Sequence, residues 1–139
     1  MEPVLLTDPK LADVLAELQK REPVFHRPEF GTGRRDFENI ADANFWEVGA
    51  SGRRYSRDYV IDTLVTRHSS PHRDEWRATD FHCVELGPRT YLVTYTLRHG
   101  AARITRRASV WRQSHEGWKI LYHQGTVVES PLTRSAAQP

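Results

Sequence analysis

The chain has 139 residues, of which 38% are apolar and one is a cysteine; this is enough for one domain with a buried core, and Cys83 alone excludes a disulfide framework or a multi-cysteine zinc site. No apolar run is long enough to span a bilayer, and the first residues lack the basic and apolar regions of a secretory signal, so we expect a cytoplasmic protein with no membrane partner. The formal net charge is +2 at pH 7, and arginine pairs such as Arg53-Arg54 and Arg106-Arg107 point to opposite faces of a strand, so we expect no nucleic-acid partner.

The first predicted element is an amphipathic helix. Asp8 is a suitable N-cap and Pro9 suits the first helical position, and apolar residues follow at helical spacing at Leu11, Val14, Leu15 and Leu18. Pro23 must kink or end this helix. Glu22 and His26 are four residues apart, so they form an acid–base pair at a pocket mouth if Pro23 only kinks the helix, with Glu29 as an alternative carboxylate. Otherwise His26 is a helix-end histidine that bonds a backbone carbonyl.

Two more helices flank a short strand. The pattern predicts a second helix at about 34–41, a strand over 45–48 and a turn over 49–52, and Ser56 caps a third helix near 57–68. His68 and His72 have the spacing of metal ligands on a helix, but the segment 69–71 ends the helix that would align them. We therefore expect no metal site.

Four strands then follow in sequence. They are predicted at 76–86, 91–98, 103–113 and 118–128, with turns marked by Gly87-Pro88, Gly100 and Gly117. Connections this short join antiparallel neighbours. Because helices come first and strands last, the fold class is α+β. Residues 1–128 form one domain in this interpretation, and 129–139 form a flexible tail.

The faces of this sheet follow from an assumed four-residue turn in each hairpin. Arg98 then lies opposite Arg103, Gln113 opposite Trp118 and Leu86 opposite Tyr91. One face mixes aromatic and polar groups as a ligand pocket does: Thr94, Thr96, Arg107, Ser109, Trp111, Tyr122 and Gln124. The other face carries mainly apolar side chains and suits a subunit interface: Val84, Val93, Tyr95, Ala108, Val110 and Leu121. Since both faces carry large apolar side chains, we expect a homodimer.

Several residues are candidates for chemistry. Glu47 lies between Trp46 and Val48, where apolar neighbours can raise the pKa of a carboxyl and suit it to general-base catalysis; alternatively it pairs with an arginine such as Arg54. We place Trp46 among the ligand-binding residues.

Arg107 and the last strand supply further pocket candidates. Arg107 would be costly to bury alone and needs Glu22, Glu29, Glu47 or an anionic ligand. The register places Gln124 in the pocket; His123 lies at the interface or rejoins the pocket if the strand bulges at Gly125. Tyr122 and Trp111 form either pocket wall or core.

The element order and two segments, 45–57 (FWEVGASGRRYSR) and 118–126 (WKILYHQGT), resemble the nuclear-transport-factor-2-like (SnoaL-like) superfamily, especially a bacterial branch of unknown function. The resemblance covers roughly residues 8–128. It implies a cone-shaped, curved antiparallel sheet wrapped round three N-terminal helices, a pocket inside and dimers through the outer sheet face.

The resemblance implies much less about activity, because its members include isomerases, dehydratases, polyketide cyclases, epoxide hydrolases and non-catalytic assembly domains. Steroid-isomerase-like members carry an acid near the end of the first strand, where 48–50 has none, so Glu47 would have to replace it. The kinase association domain is similar in its final hairpin, with tryptophans spaced like Trp111 and Trp118, but Ser109 replaces its pocket arginine.

We expect a small-molecule pocket protein that needs no cofactor. If it is an enzyme, it is an isomerase, dehydratase or hydrolase that uses Glu47 or the Glu22–His26 pair as the base, with Arg107, Tyr122 and Gln124 positioning the substrate. The alternative is a non-catalytic ligand-binding or dimeric assembly module.

Overall fold

The structure, a computed structural model, describes residues 1–69, 75–100 and 102–129. It contains three α-helices: α1 (Ala12–Arg21), α2 (Arg34–Ile40) and α3 (Arg57–His68). Six strands accompany them: β1 (Ala41–Val48), β2 (Arg54–Ser56), β3 (Trp76–Gly87), β4 (Thr90–His99), β5 (Arg103–Ser114) and β6 (Gly117–Val127). His72 and residues 130–139 of the predicted tail lie outside the described residues. None of the described helices is long and apolar enough to cross a membrane.

The first helix begins where its capping signals predict and ends before Pro23. The Asp8 carboxylate accepts a hydrogen bond from the backbone N–H of Lys10, and a 3-10 turn over Pro9–Leu11 leads into α1. The helix ends at Arg21, and Glu22 is already extended. Since Pro23 ends the helix rather than kinking it, the expectation that Glu22 and His26 share a helix face is wrong.

The strands form one curved, unclosed sheet in the order β2-β1-β6-β5-β4-β3. The predicted α+β class with three helices and a curved sheet is confirmed, and β3 to β6 form the predicted antiparallel meander. The sheet is mixed rather than wholly antiparallel, because β1 pairs in parallel with β6. The short strand β2, which was not predicted, pairs antiparallel with β1.

The predicted register between β4 and β5 is wrong by one residue. His99, not Arg98, lies opposite Arg103, so three residues rather than four separate the paired ends, and Gly100 directly after β4 has a positive φ. A one-residue shift exchanges the faces of a whole strand. As a result Val93 and Tyr95, predicted on the interface face, point into the core. Thr94 and Thr96, predicted to line the pocket, lie on the outer face of the sheet.

A bulge in β6 changes the second half of that strand. Ile120 lies opposite Trp111 and Tyr122 opposite Val110, which leaves Leu121 as an extra residue. Before the bulge the predicted register is right; after it, alternation resumes with the opposite faces. Tyr122 therefore points outward and His123 inward.

The core lies between the helices and the inner face of the sheet. Phe25, in the segment after α1, meets Phe37 of α2 and Phe45 of β1 edge to face, with ring centroids 5.9 and 5.7 Å apart. From the sheet, Val93, Trp111 and Ile120 are buried in the same cluster.

Candidate functional site

A cavity of about 240 Å³ lies between α3, β1, the segment after α1 and the inner face of the sheet. Its ionisable groups come from six separate parts of the chain: the segment after α1, β1, β2, α3, β5 and β6. Apolar and aromatic side chains supply much of the remaining wall, a composition typical of small-molecule pockets. The lining residues are Val24, Phe25, His26, Glu47, Tyr55, Tyr59, Val60, Thr63, Leu64, Arg67, Arg107 and His123.

Glu47 lines this cavity because strand alternation places it on the same face as Phe45, with Trp46 on the opposite face. On β6, His123 is its register partner. Burial raises the pKa of the Glu47 carboxyl, and the charge of Arg107 partly offsets this. Within the described ranges no basic side chain lies within 4 Å of the Glu47 carboxylate, so the predicted alternative of an ion pair with Arg54 does not form.

Arg107 enters the cavity from β5 and is fixed at two points. Its Nε donates to Thr105 Oγ1 at 3.0 Å, and its Nη1 lies 3.4 Å from His123 Nε2. Gly125 lies opposite it on β6, where a Cβ would stand 3.6 Å from the guanidinium carbon, so a longer side chain would fill the space of the guanidinium. In the described part of the chain, no carboxylate comes within 4 Å of Arg107. Its charge is therefore available to a ligand.

His123 is almost wholly buried and bridges two side chains. Its Nδ1 lies 2.6 Å from Ser109 Oγ, and its Nε2 faces Arg107. Burial, followed by the electrostatic effects of Arg107 and His26, lowers the pKa of His123 to about 3. The imidazole is therefore neutral at pH 7.

Glu22 lies in the core rather than at the mouth of the cavity. It is fully buried, and its Oε1 accepts from the backbone N–H of Val24 at 2.9 Å and from the Tyr95 hydroxyl at 2.8 Å. Its Oε2 accepts from Trp111 Nε1 at 3.0 Å, and the nearby Ser109 side chain also favours the ionised form. Burial raises the pKa of Glu22 against the effect of these donors.

His26, the other member of the predicted pair, does line the cavity. Its ring centroid lies 6.4 Å from that of His68, which itself bonds the Phe25 carbonyl oxygen at 3.2 Å. Because Glu22 faces the core and His26 faces the cavity, the structure does not bring this pair together.

The structure places three predicted pocket residues on the outer face of the sheet. Trp46 is 43% exposed and packs against Tyr122 with ring centroids 4.7 Å apart. The Tyr122 hydroxyl donates to Gln124 Oε1 at 2.6 Å. The orientation predicted for Tyr122 and Gln124 is wrong because of the bulge at Leu121, and Trp46 points away from the cavity by simple alternation. Trp111 takes the predicted core alternative and is buried.

Sequence reasoning missed the aromatic and basic wall supplied by β2 and α3. Tyr55 and Tyr59 stack with ring centroids 5.1 Å apart, and Arg67 lies farther along α3 on the same cavity. The signal was present, since Tyr59, Thr63 and Arg67 recur every four residues along one side of the helix. The apolar side of the same helix, with Val60, Ile61 and Leu64 buried in the core, gives the stronger signal in the sequence.

No three side chains of the His, Cys, Asp or Glu type come together as a metal-ligand set within the described residues.

Comparison with solved structures identifies the fold. An NTF2-like protein from Cytophaga hutchinsonii superposes with a TM-score of 0.64 at 13% identity, covering 88% of this chain and 100% of that one. A candidate dehydratase of the NTF2-like family from Streptomyces avermitilis gives 0.67 at 17% identity, covering 85% and 98%. A candidate calcium/calmodulin-dependent kinase II association domain from Exiguobacterium sibiricum gives 0.55 at 19% identity, covering 94% and 98%.

These likenesses show that the chain has the NTF2-like fold, as the resemblance implied. No protein-family model matches the chain. No curated protein matches it either. At these identities the superpositions show the fold alone, so chemistry has to be argued from the cavity.

Proposed function

We propose that this protein binds a small carbonyl compound in the cavity and catalyses proton transfer beside the carbonyl group, as an isomerase or dehydratase does, without a cofactor. One observation carries the proposal: the cavity holds Glu47, a carboxyl with a raised pKa, together with Arg107, whose charge has no carboxylate within 4 Å among the described residues. A base and a stabiliser of negative charge are what this reaction needs.

Glu47 is the base in this mechanism. A raised pKa makes its carboxylate a stronger proton acceptor than an exposed glutamate. It removes a proton from the carbon next to the carbonyl, and the electrons of that C–H bond move into an enolate. Return of the proton to another carbon gives an isomer, whereas loss of a β-hydroxyl group as water, after protonation, gives the dehydrated product.

Arg107 stabilises the enolate oxygen. Its remaining N–H donors can reach an oxygen in the cavity, and hydrogen bonds to a charged oxygen are stronger than those to a neutral carbonyl. His26 lines the same cavity and is the candidate for protonating the leaving hydroxyl. The apolar wall, including Val60 and Leu64, reduces contact with water and so strengthens these electrostatic interactions.

The solved structures support this reading at the level of the fold. The protein from Streptomyces avermitilis, a candidate dehydratase, shares the architecture that positions the cavity. Several other neighbours have no known function.

Hydrogen–deuterium exchange tests the proposal without knowledge of the natural substrate. The protein is incubated in D₂O with a panel of small β-hydroxy and β,γ-unsaturated carbonyl compounds, and mass spectrometry measures deuterium uptake next to the carbonyl. We expect catalysed exchange with at least one compound, and a loss of at least 100-fold in Glu47→Gln, in line with the usual contribution of a general base. Glu85→Gln, at an exposed glutamate on β3, is the matched control. An equal rate in wild type and Glu47→Gln would rule out this role.

We also propose that the protein is a homodimer that pairs through the outer face of the sheet. Trp46, Tyr122, Leu121 and Val110 line an open groove of about 490 Å³ on that face. Apolar side chains grouped on one surface are typical of interfaces.

The second candidate function is a non-catalytic ligand-binding or assembly module. It is supported if the protein binds a compound of the panel but does not catalyse deuterium exchange.

A further inference from the structure

The cavity arginine contacts a buried histidine and serine that lie beside the fully buried carboxyl of Glu22. Arg107 Nη1 faces His123 Nε2, His123 Nδ1 faces Ser109 Oγ, and Ser109 lowers the pKa of the neighbouring Glu22. Ser109 and Glu22 line no part of the cavity, so a direct contact with ligand does not explain them. Buried polar groups are costly unless each is satisfied, and here each is.

The direction of the two hydrogen bonds at His123 follows from the chemistry of Arg107. A guanidinium only donates hydrogen bonds, so His123 Nε2 accepts from Arg107 and carries no proton. The ring proton therefore lies on Nδ1, which donates to Ser109 Oγ at 2.6 Å. The Ser109 hydroxyl, which accepts this hydrogen bond, can donate its own proton toward the neighbouring Glu22 carboxyl, which also accepts from Val24, Tyr95 and Trp111.

The other protonation states of His123 are unfavourable. The tautomer protonated at Nε2 would place an N–H group against the N–H of Arg107. The imidazolium form would place two positive charges about 3.4 Å apart in a buried site. Both changes break the contact that fixes the guanidinium.

We infer that Glu22, Ser109 and His123 are positioning residues that hold Arg107 ready to bind a ligand oxygen, by fixing His123 as the neutral tautomer protonated at Nδ1. The contacts to Thr105 and His123 use two of the five N–H groups of the guanidinium. Three N–H groups are left for an oxyanion or carboxylate, which they fit geometrically. The inference builds on the proposed role of Arg107, but its test does not depend on catalysis.

Nuclear magnetic resonance tests the tautomer directly. In ¹⁵N-labelled protein at pH 7, we expect His123 Nδ1 to show the chemical shift of a protonated ring nitrogen and Nε2 that of an unprotonated one. We expect separate Nη signals from Arg107, since a guanidinium held at two points rotates slowly. A protonated Nε2, or an imidazolium signal at pH 7, would overturn the inference.

Substitutions at Ser109 test the coupling. In Ser109→Ala the Nδ1–H group loses its acceptor, so we expect mixed His123 tautomers and merged Arg107 Nη signals. Ser109→Thr keeps the hydroxyl and should restore both wild-type signatures, and Ser51→Ala, at an exposed serine, should change neither. If Ser109→Ala leaves both signatures as in wild type, the serine does not position Arg107.

The wild-type spectrum decides the tautomer even if Ser109→Ala does not fold. If wild type and Glu47→Gln exchanged deuterium at the same rate, the proposed reaction would be ruled out. The ¹⁵N spectra of His123 and Arg107 would be unaffected by that result. The two proposals can therefore fail separately.

Discussion

His123 shows how burial makes a histidine insensitive to physiological pH. Its pKa of about 3 in the folded protein lies far below the value of about 6.5 for an exposed imidazole. It therefore remains an acceptor for Arg107 throughout the pH range in which most proteins work.

The same shift predicts a pH dependence of stability. Between pH 6.5 and about 3 the unfolded chain protonates His123 and the folded chain does not, so the free energy of unfolding falls as the pH falls. One such group contributes a slope of up to about 1.4 kcal/mol per pH unit. Urea unfolding of wild type and His123→Gln at several pH values measures the difference between the two proteins. We expect the wild type to lose stability faster on acidification.

The comparison with His123→Gln is needed because two carboxyls change the free energy of unfolding with pH in the opposite direction. The raised pKa values of Glu22 and Glu47 contribute stability that is present at low pH and lost as the pH rises through their folded values. Equal slopes in the wild type and His123→Gln would show that the imidazole is not neutral in the folded state at these pH values.

The sequence was enough to predict which residues have useful chemistry, but not always whether each one lies in the cavity. Glu47 and Arg107 were identified because an acid between apolar residues and a cation on a mixed face each need an explanation, and both line the cavity. Glu22 was predicted as a cavity residue because nothing local shows that Tyr95, Ser109 and Trp111, distant in sequence, converge on its carboxyl.

At the scale of elements, helix and strand positions depend on local signals and were predicted well. Caps, prolines and glycines determine where α1, α3 and the four meander strands begin and end. Register depends on loop length and bulges, which have no such signal: a three-residue loop after His99 and one extra residue at Leu121 reversed the faces predicted for β4 and for the second half of β6.

The bulge gives a prediction for β6. Deleting Leu121 should bring Tyr122 directly after Ile120 and opposite Val110, so regular pairing continues with His123 still inward. We expect a folded protein that keeps the Nδ1-protonated signature of His123, destabilised by about 0.5–3 kcal/mol, as is common for single changes. Urea unfolding and the ¹⁵N spectrum measure both. An exposed, titrating histidine at this position would contradict the observed register.

At the scale of the whole molecule, the outer groove predicts how two copies pair. Trp46→Glu places a charge where we propose a buried aromatic anchor, and loss of such an anchor costs about 2 kcal/mol of binding or more, which is roughly a 30-fold rise in the dimer dissociation constant. Sedimentation over a dilution series measures this constant. Leu86→Glu, at an exposed leucine near the turn between β3 and β4, is the control. A wild type that is monomeric at micromolar concentration would refute the dimer.

The parallel pairing of β1 with β6 also constrains how the protein can be made in the cell. While the ribosome is still translating the middle of the chain, Ala41–Val48 has only the three-residue strand β2 for a neighbour, and its other flank has no hydrogen-bonding partner in the sheet. Unpaired strand flanks promote association between incomplete chains, and contacts between distant segments form late. The nascent polypeptide can therefore close its core only after Gly117–Val127 has been synthesised, so chaperones have most reason to bind it before that point.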